Sequence, residues 1–298
     1  MNTFVAQIDL SLASKLQTDL EEQGFELTKP PYTIFSAQKQ GVSCTLYTSG
    51  KITVQGKAKD DFIAYYLEPE ILKSLAYTYP ETGVDMTPHI GIDEAGKGDF
   101  FGPLCIAGVQ ADEDGIRKLL EFGVKDSKRM SDTTIQKIAA KIRPAFAHSI
   151  VRIYPLKYNE LYGKFQNLNR LLAWGHATAI SELVEKTGCK EALIDQFANE
   201  SLVENALKKK DLAINLKQRP RAEEDPVVAA ASILARAAFV DGIDNLGKEA
   251  GIELPKGASD KVVDVGRKLV DKLGKDQLGK FAKLHFKTTN DVLGLNLF

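Results

Sequence analysis

The sequence predicts an α/β protein of two domains, a small α/β unit at the amino end and a larger unit in which strands are separated by helices. Three observations predict it. At 298 residues, with 44% hydrophobic and 27% charged side chains, the chain is long enough for two modest cores and is ordinary globular material. A proline-bracketed stretch of mostly polar residues and glycine, Pro80 to Pro88, interrupts the apolar patterning, so residues 1–80 form one domain, 81–88 a linker and 89–298 a second domain. From His89 onward, apolar runs of strand length alternate with longer segments of helical spacing, as βαβ units require.

In the first domain Leu12, Leu16 and Leu20 recur every four residues on one helical face, and Gly24 stops that helix. Val42, Cys44 and Leu46 then alternate with polar residues, Ser49-Gly50 turns the chain, and Ile52 and Val54 alternate again. That is a hairpin. A second helix starts near Asp60, whose carboxylate and that of Asp61 suit the positive end of a helix, and Pro69 is expected to interrupt it. In the second domain the expected strands are 89–94, 103–111, 148–154, 192–195 and 212–217, and the expected helices include 131–142, 168–186 and 226–246. No repeat or low-complexity tract suggests another architecture.

Composition removes several function classes. Cys44, Cys105 and Cys189 lie far apart with no C-x-x-C pair, which argues against a zinc ribbon and a disulfide framework and for a reducing cytoplasm. The amino terminus lacks the basic and apolar regions of an export signal, and no stretch approaches the roughly 20 apolar residues of a membrane span. A net charge of −1 still permits local basic faces. Lys39, Lys51, Lys57 and Lys59 fall between Pro30 and Lys59 with no acid among them, a pattern that fits a phosphate-binding face and a solvated hairpin alike.

The chemistry concentrates in Gly91-Ile92-Asp93-Glu94-Ala95-Gly96-Lys97-Gly98-Asp99, where two adjacent acids end a strand just before a glycine-bracketed lysine. Gly91 to Lys97 has the spacing of a G-x-x-x-x-G-K phosphate loop, but Gly98 stands where that loop needs Ser or Thr, and two acids inside the nest would repel a triphosphate. An ATPase is therefore a poor reading. Paired carboxylates are costly to keep ionised unless a cation holds them, and magnesium or manganese, which prefer oxygen ligands, would do so. An exposed acidic turn is the plainer alternative.

These residues resemble the G-I-D-E-A-G-[RK]-G segment of the type 2 ribonuclease H superfamily. The resemblance continues through Lys125-Asp126-Ser127-Lys128, Leu193-Ile194-Asp195 and the run Val227 to Arg236. Within the superfamily the chain is most similar to the bacterial ribonuclease HIII branch: its turn reads Gly-Lys-Gly-Asp where ribonuclease HII typically has Gly-Arg-Gly-Pro, a long segment precedes that turn, and Ala282-Lys283-Leu284-His285-Phe286-Lys287-Thr288-Thr289 lies in its closing part.

The resemblance implies a ribonuclease H-like mixed five-stranded sheet flanked by helices, preceded by a small α/β domain like the TATA-binding protein. It implies an endoribonuclease that cuts the RNA strand of RNA–DNA hybrids with Mg2+ or Mn2+, leaving 5′-phosphate and 3′-hydroxyl ends. Asp93, Glu94 and Asp195 would then hold metal. The fourth acid is contested by Glu223, Glu224 and Asp225; Glu223 is favoured because it follows Arg221-Ala222, while Asp225 before Pro226 reads as a helix N-cap. Gly96, Lys97 and Gly98 would meet the ribonucleotide 2′-OH and a phosphate, and Ser127 and Lys128 a phosphate. Lys51 and Lys57 of the hairpin would add backbone contacts, and Tyr47 fits stacking on the substrate or packing in its strand equally well. His285 is tempting as a general base, but His89, His148, His176 and His285 show no ligand or triad spacing, and most of them read as structural. The rival readings are a ribonuclease HII-type enzyme that cuts at single embedded ribonucleotides, and a catalytically idle hybrid-binding module. No obligate protein partner and no membrane association are implied.

Overall fold

The computed structural model describes residues 3–74, 77–78, 84–124, 127, 130–196 and 201–295. The chain divides into two compact units, residues 1–84 and 85–298. In the first unit β1 (Phe4–Gln7), α1 (Ala13–Glu22), β2 (Glu26–Thr28), β3 (Thr33–Lys39), β4 (Val42–Tyr47), β5 (Lys51–Gln55) and α2 (Lys59–Phe62) follow one another. The strands form an antiparallel sheet in the order β1-β5-β4-β3-β2. Alternation along β4 buries Val42, Cys44 and Leu46, and β5 buries Ile52 and Val54. Leu16 and Leu20 of α1 and Phe62, Ile63 and Leu67 pack onto that face. The helix does not stop at Pro69. It continues from α2 in wider π-type turns through Leu72, because a proline without an N–H breaks the regular ladder while Ile63, Leu67 and Ile71 stay buried.

The second unit contains β6 (His89–Ala95), β7 (Leu104–Ala111), α3 (Glu113–Glu121), α4 (Asp132–Ala145), β8 (His148–Ile153), α5 (Pro155–Phe165), α6 (Leu168–Thr187), β9 (Glu191–Asp195), α7 (Ser201–Lys208), β10 (Asn215–Arg219), α8 (Pro226–Ala250), α9 (Asp260–Leu273) and α10 (Thr288–Leu293). Its sheet is mixed and five-stranded, ordered β10-β9-β6-β7-β8, with β10, β9 and β6 parallel and β7 and β8 antiparallel to their neighbours. The last strand begins three residues later than its apolar pattern suggested and ends two later. Leu212 and Ile214 pack as partly buried residues ahead of it, and the pairing segment alternates exposed Asn215, Lys217 and Arg219 with half-buried Leu216 and Gln218.

Two layers of helix enclose this sheet. α6 buries Leu172, Ala179, Ile180 and Leu183 with Ile90, Ile92, Leu104 and Ile106 on one side. On the other side runs α8, long and apolar enough to cross a membrane by composition but 89% buried inside the protein along that stretch. Asp225 caps it by accepting from the Val227 and Val228 amides at 2.8 and 3.2 Å, Pro226 takes the first helical position, and Gly251 ends it in the left-handed region. The helix approaches the sheet closely because Ala229, Ala230 and Ala231 are small and because Gly91 has no side chain. A Cβ on Gly91 would lie 2.4 Å from the Val228 amide nitrogen.

Candidate active site

β6 is the central strand of its sheet, and the alternation of side chains along it separates the two acids. Asp93 shares the α8 side with Gly91 and accepts a hydrogen bond from the Ser232 hydroxyl of α8 and one from the Glu94 amide at 2.8 Å. Glu94 faces α6, where its Oε2 lies 3.0 Å from Nε2 of the fully buried His176, while its Oε1 accepts from Lys97 Nζ at 3.0 Å. Burial, reinforced by the Glu94 charge, raises the Asp93 pKa. Burial also works to raise that of Glu94, but the hydrogen bond and charge of His176, with Lys97, outweigh it and hold this carboxyl low.

Asp195 arrives from the neighbouring strand. β6 and β9 run parallel with Gly91 beside Leu193 and Ile92 beside Ile194, so one further step sets Asp93 beside Asp195 at the carboxyl ends of both strands. That end of an open α/β sheet is where ligands gather. Asp195 Oδ1 accepts from the Ala222 amide at 3.1 Å, which draws the short turn Ala222–Glu224 against the same strand end. Of the three contested acids on this segment, Glu223 is half-buried with Oε2 shielded from solvent, Glu224 is exposed, and Asp225 is committed to its cap and to His89 Nε2 at 3.0 Å. Asp225 is therefore a structural group. His89 donates from Nδ1 to the Thr87 carbonyl, and although burial disfavours its charged ring, Asp225 and Thr87 outweigh that and raise its pKa.

The Gly96-Lys97-Gly98 turn follows directly. Gly96 has φ of 86°, and a Cβ there would lie 2.2 Å from the Pro103 carbonyl oxygen, so only glycine fits. Nothing crowds Gly98, and the Lys97 side chain is 45% exposed. Beyond the turn, residues 99–102 are fastened from two directions. Asp99 Oδ1 accepts from the Gly257 amide at 2.7 Å, and the fully buried Lys283 donates from Nζ to the carbonyls of Asp99 at 2.8 Å and Gly102 at 2.7 Å. Burial pushes the Lys283 pKa down to about 8. The sequence offered no role for this lysine, nor for His176 or Ser232; their partners are 184, 82 and 105 residues away, separations that no local motif records.

Ser127 is buried, and its hydroxyl pairs with that of Ser232 at 2.7 Å. Lys128 lies outside the described residues. In the first unit Tyr47 is half-buried on the sheet face opposite α1, on the same face as exposed Lys51, while Lys57 is exposed beyond the far end of β5. Lys39 and Lys59 are less available, the first donating to the Gln23 carbonyl and the second to Asp60 and the Tyr77 hydroxyl.

Among the described residues no three His, Cys, Asp or Glu side chains already stand at the spacing of a metal site. The donor set still suits a hard cation. It consists of carboxylate oxygens, the burial of Asp93 calls for compensating charge, and among the described residues neither Asp93 nor Asp195 has an ion-pair partner.

The sequence profile of the family described as ribonuclease HII matches residues 90–289, and that of a domain of unknown function matches residues 3–76. A protein of Protochlamydia amoebophila named ribonuclease HIII is 55% identical over 98% of this chain and 97% of its own length. The chain belongs to the ribonuclease HIII family. A ribonuclease HIII of Chlamydia felis is 50% identical over 97% of each protein. Among solved structures, Bst-RNase HIII in complex with Mn2+ superposes with a TM-score of 0.69 at 28% identity over 99% of both chains, and Aquifex aeolicus RNase H3 with 0.58 at 27% identity, covering 95% of this chain and 100% of that one. The mixed sheet order and the small α/β unit ahead of it are thus those of this family's fold.

Proposed function

We infer that this ribonuclease HIII family member is a metal-dependent endoribonuclease that hydrolyses the RNA strand of RNA–DNA hybrids. The observation that carries the reading is that Asp93 and Asp195 each follow directly on the Ile92–Ile194 pair of adjacent parallel strands, just before the Gly96-Lys97-Gly98 turn. Asp93, Glu94 and Asp195 would hold Mg2+ or Mn2+, and Glu223 would complete the set of acids. Ions held there would supply an activated water and stabilise the leaving oxygen.

The chain's own residues do the rest. Ser232 and the Glu94 amide both hydrogen-bond to the Asp93 carboxylate, so its orientation is set by the fold and not by solvent. His176 fixes the Glu94 carboxylate at the opposite face, and Lys97 bridges from the turn to the same group, so a substrate phosphate drawing Lys97 away would release one Glu94 oxygen. Buried Gly96 lets the chain turn tightly and exposed Gly98 bares the backbone beside Lys97, which would let an amide approach a ribose 2′-OH, the group that distinguishes RNA from DNA. In-line attack leaves 5′-phosphate and 3′-hydroxyl ends and needs no covalent intermediate.

Residues 1–80 act as a substrate-binding domain in this reading, with Tyr47 and Lys51 on one face and Lys57 at the far end of the same strand. Residues 89–298 are the catalytic domain. The three cysteines are all free, which suits a reducing cytoplasm. The test is a cleavage assay on two duplexes, one a continuous RNA–DNA hybrid and the other DNA with a single embedded ribonucleotide. Cutting confined to the first supports the assignment; efficient cutting of the second assigns the ribonuclease HII-type activity instead. Deleting residues 1–80 should weaken hybrid binding more than it slows single-turnover cleavage at saturation, and an unchanged affinity would remove that domain from the interface.

A further inference from the structure

A groove of about 640 Å³ is lined by α6, α7 and the last turn of α5. Lys164, Arg170, Lys209 and Lys210 line it, and among the described residues no acidic side chain does. In a chain with 39 basic and 40 acidic residues such one-sided lining is a local segregation of charge. Lys164 is paired with Glu160 at 2.8 Å, whereas Arg170, Lys209 and Lys210 have no side-chain partner among the described residues. Phe165 and Trp174, with ring centroids 6.3 Å apart, stand among these cations, half-buried against the core beneath.

The groove is separate from the acids. Trp174 and His176 are two positions apart on α6, about 200° around a helix with 3.6 residues per turn. Since His176 meets Glu94, Trp174 faces the other way. Three unpaired cations suit a phosphate backbone or an acidic peptide equally, but the two rings decide between them. An aromatic platform flanked by cations is what an unpaired nucleobase uses, since each base has a π-face and its phosphate needs a counter-charge. A duplex keeps its bases stacked inward and has no use for the rings.

We propose that this groove is a second nucleic-acid site that binds single-stranded nucleic acid, with phosphates on Arg170, Lys209 and Lys210 and a base against Trp174. Trp174 is the chain's only tryptophan, so its emission reports occupancy of this groove whatever the other domain binds. The full-length protein is titrated with a short oligothymidylate while tryptophan emission and oligonucleotide anisotropy are followed together across a salt series. Saturable quenching is expected, weakening with salt. The variant R170Q/K209Q/K210Q should lose at least tenfold in affinity and lower the log–log salt slope by about 2, three contacts at roughly 0.7 each on a single strand. Its cleavage of RNA–DNA hybrid should stay at the wild-type rate. Oligonucleotide binding without any change in emission, or quenching that survives in the triple variant, overturns the proposal. Tighter competition by oligoglutamate than by oligothymidylate also overturns it and assigns the groove to an acidic peptide.

Discussion

Replacing Gly91 with alanine tests whether the approach of α8 to the central strand is what sets the catalytic geometry. The new Cβ would stand 2.4 Å from the Val228 nitrogen, 2.5 Å from the Val227 carbonyl carbon and 2.8 Å from its oxygen. Ordinary contact between such atoms is near 3.5 Å, so the helix must retreat by about 1 Å. Those neighbours are backbone atoms, which cannot rotate aside as side chains do, and the cost belongs near the upper end of the ~1–3 kcal/mol typical of overpacking. In a unit of this size that lowers Tm by roughly 6–12 °C. The retreat carries Ser232 away from Asp93 and the Asp225 cap away from His89, and a misplacement of about 1 Å costs on the order of 10²-fold in rate. Thermal unfolding and single-turnover hybrid cleavage at 25 °C, well below the melting transition, measure the two effects. Gly108→Ala is the control: its Cβ meets the ends of Ile92 and Leu183, which can shift, so it should cost stability with little loss of rate. Near-normal Tm and a single-turnover rate within twofold for Gly91→Ala would refute the reasoning.

Other outcomes follow from the same contacts. Asp93→Asn should abolish cleavage and stabilise the metal-free protein. Because the folded-state pKa of Asp93 is raised, its contribution to stability is present below the unfolded value and is lost as pH rises through the folded value. The amide does not titrate, so the Tm advantage of the variant should grow with pH, and a flat difference from pH 4 to 9 would count against it. Glu223→Gln should cost far more activity than Glu224→Gln in steady-state assays, since only Glu223 turns an oxygen inward; the reverse order would assign the fourth acid to Glu224. Lys283→Met strips the donor from the carbonyls of Asp99, Phe101 and Gly102, the last two buried and each worth ~1–3 kcal/mol when left unpaired, so a Tm loss and a raised KM for the hybrid are expected. A normal KM would show that the Gly96–Gly98 turn does not depend on this clamp.

Much of the second unit was legible because its strands are apolar runs bounded by turn residues: His89, Leu104, His148 and Glu191 each begin a strand within one residue of its expected start. The paired acids, the glycine turn and the Asp225-Pro226 cap were legible too, because each depends on residues adjacent in sequence. What stayed hidden was long-range. Nothing around His176 announces that it meets Glu94, since a histidine amid the apolar face of α6 looks like any core residue. Ser232 sits in a run of small residues that packing alone explains, yet its hydroxyl joins Ser127 to Asp93. β10 misled because Leu212 and Ile214 carry the apolar signal, while the segment that pairs with β9 is held by backbone hydrogen bonds and presents polar side chains. Pro69 misled in the opposite sense, since burial of Ile63, Leu67 and Ile71 sustains a helix that the proline weakens.

The most direct test of the central claim is hybrid cleavage by the wild-type protein and Asp195→Asn, stripped of metal with a chelator and then titrated with Mg2+ or Mn2+. The account predicts no cleavage by either protein before titration, recovery of the wild type with added ion, and no recovery of Asp195→Asn at any ion concentration. Cleavage by the chelated wild type, or near-normal turnover by Asp195→Asn, would contradict it.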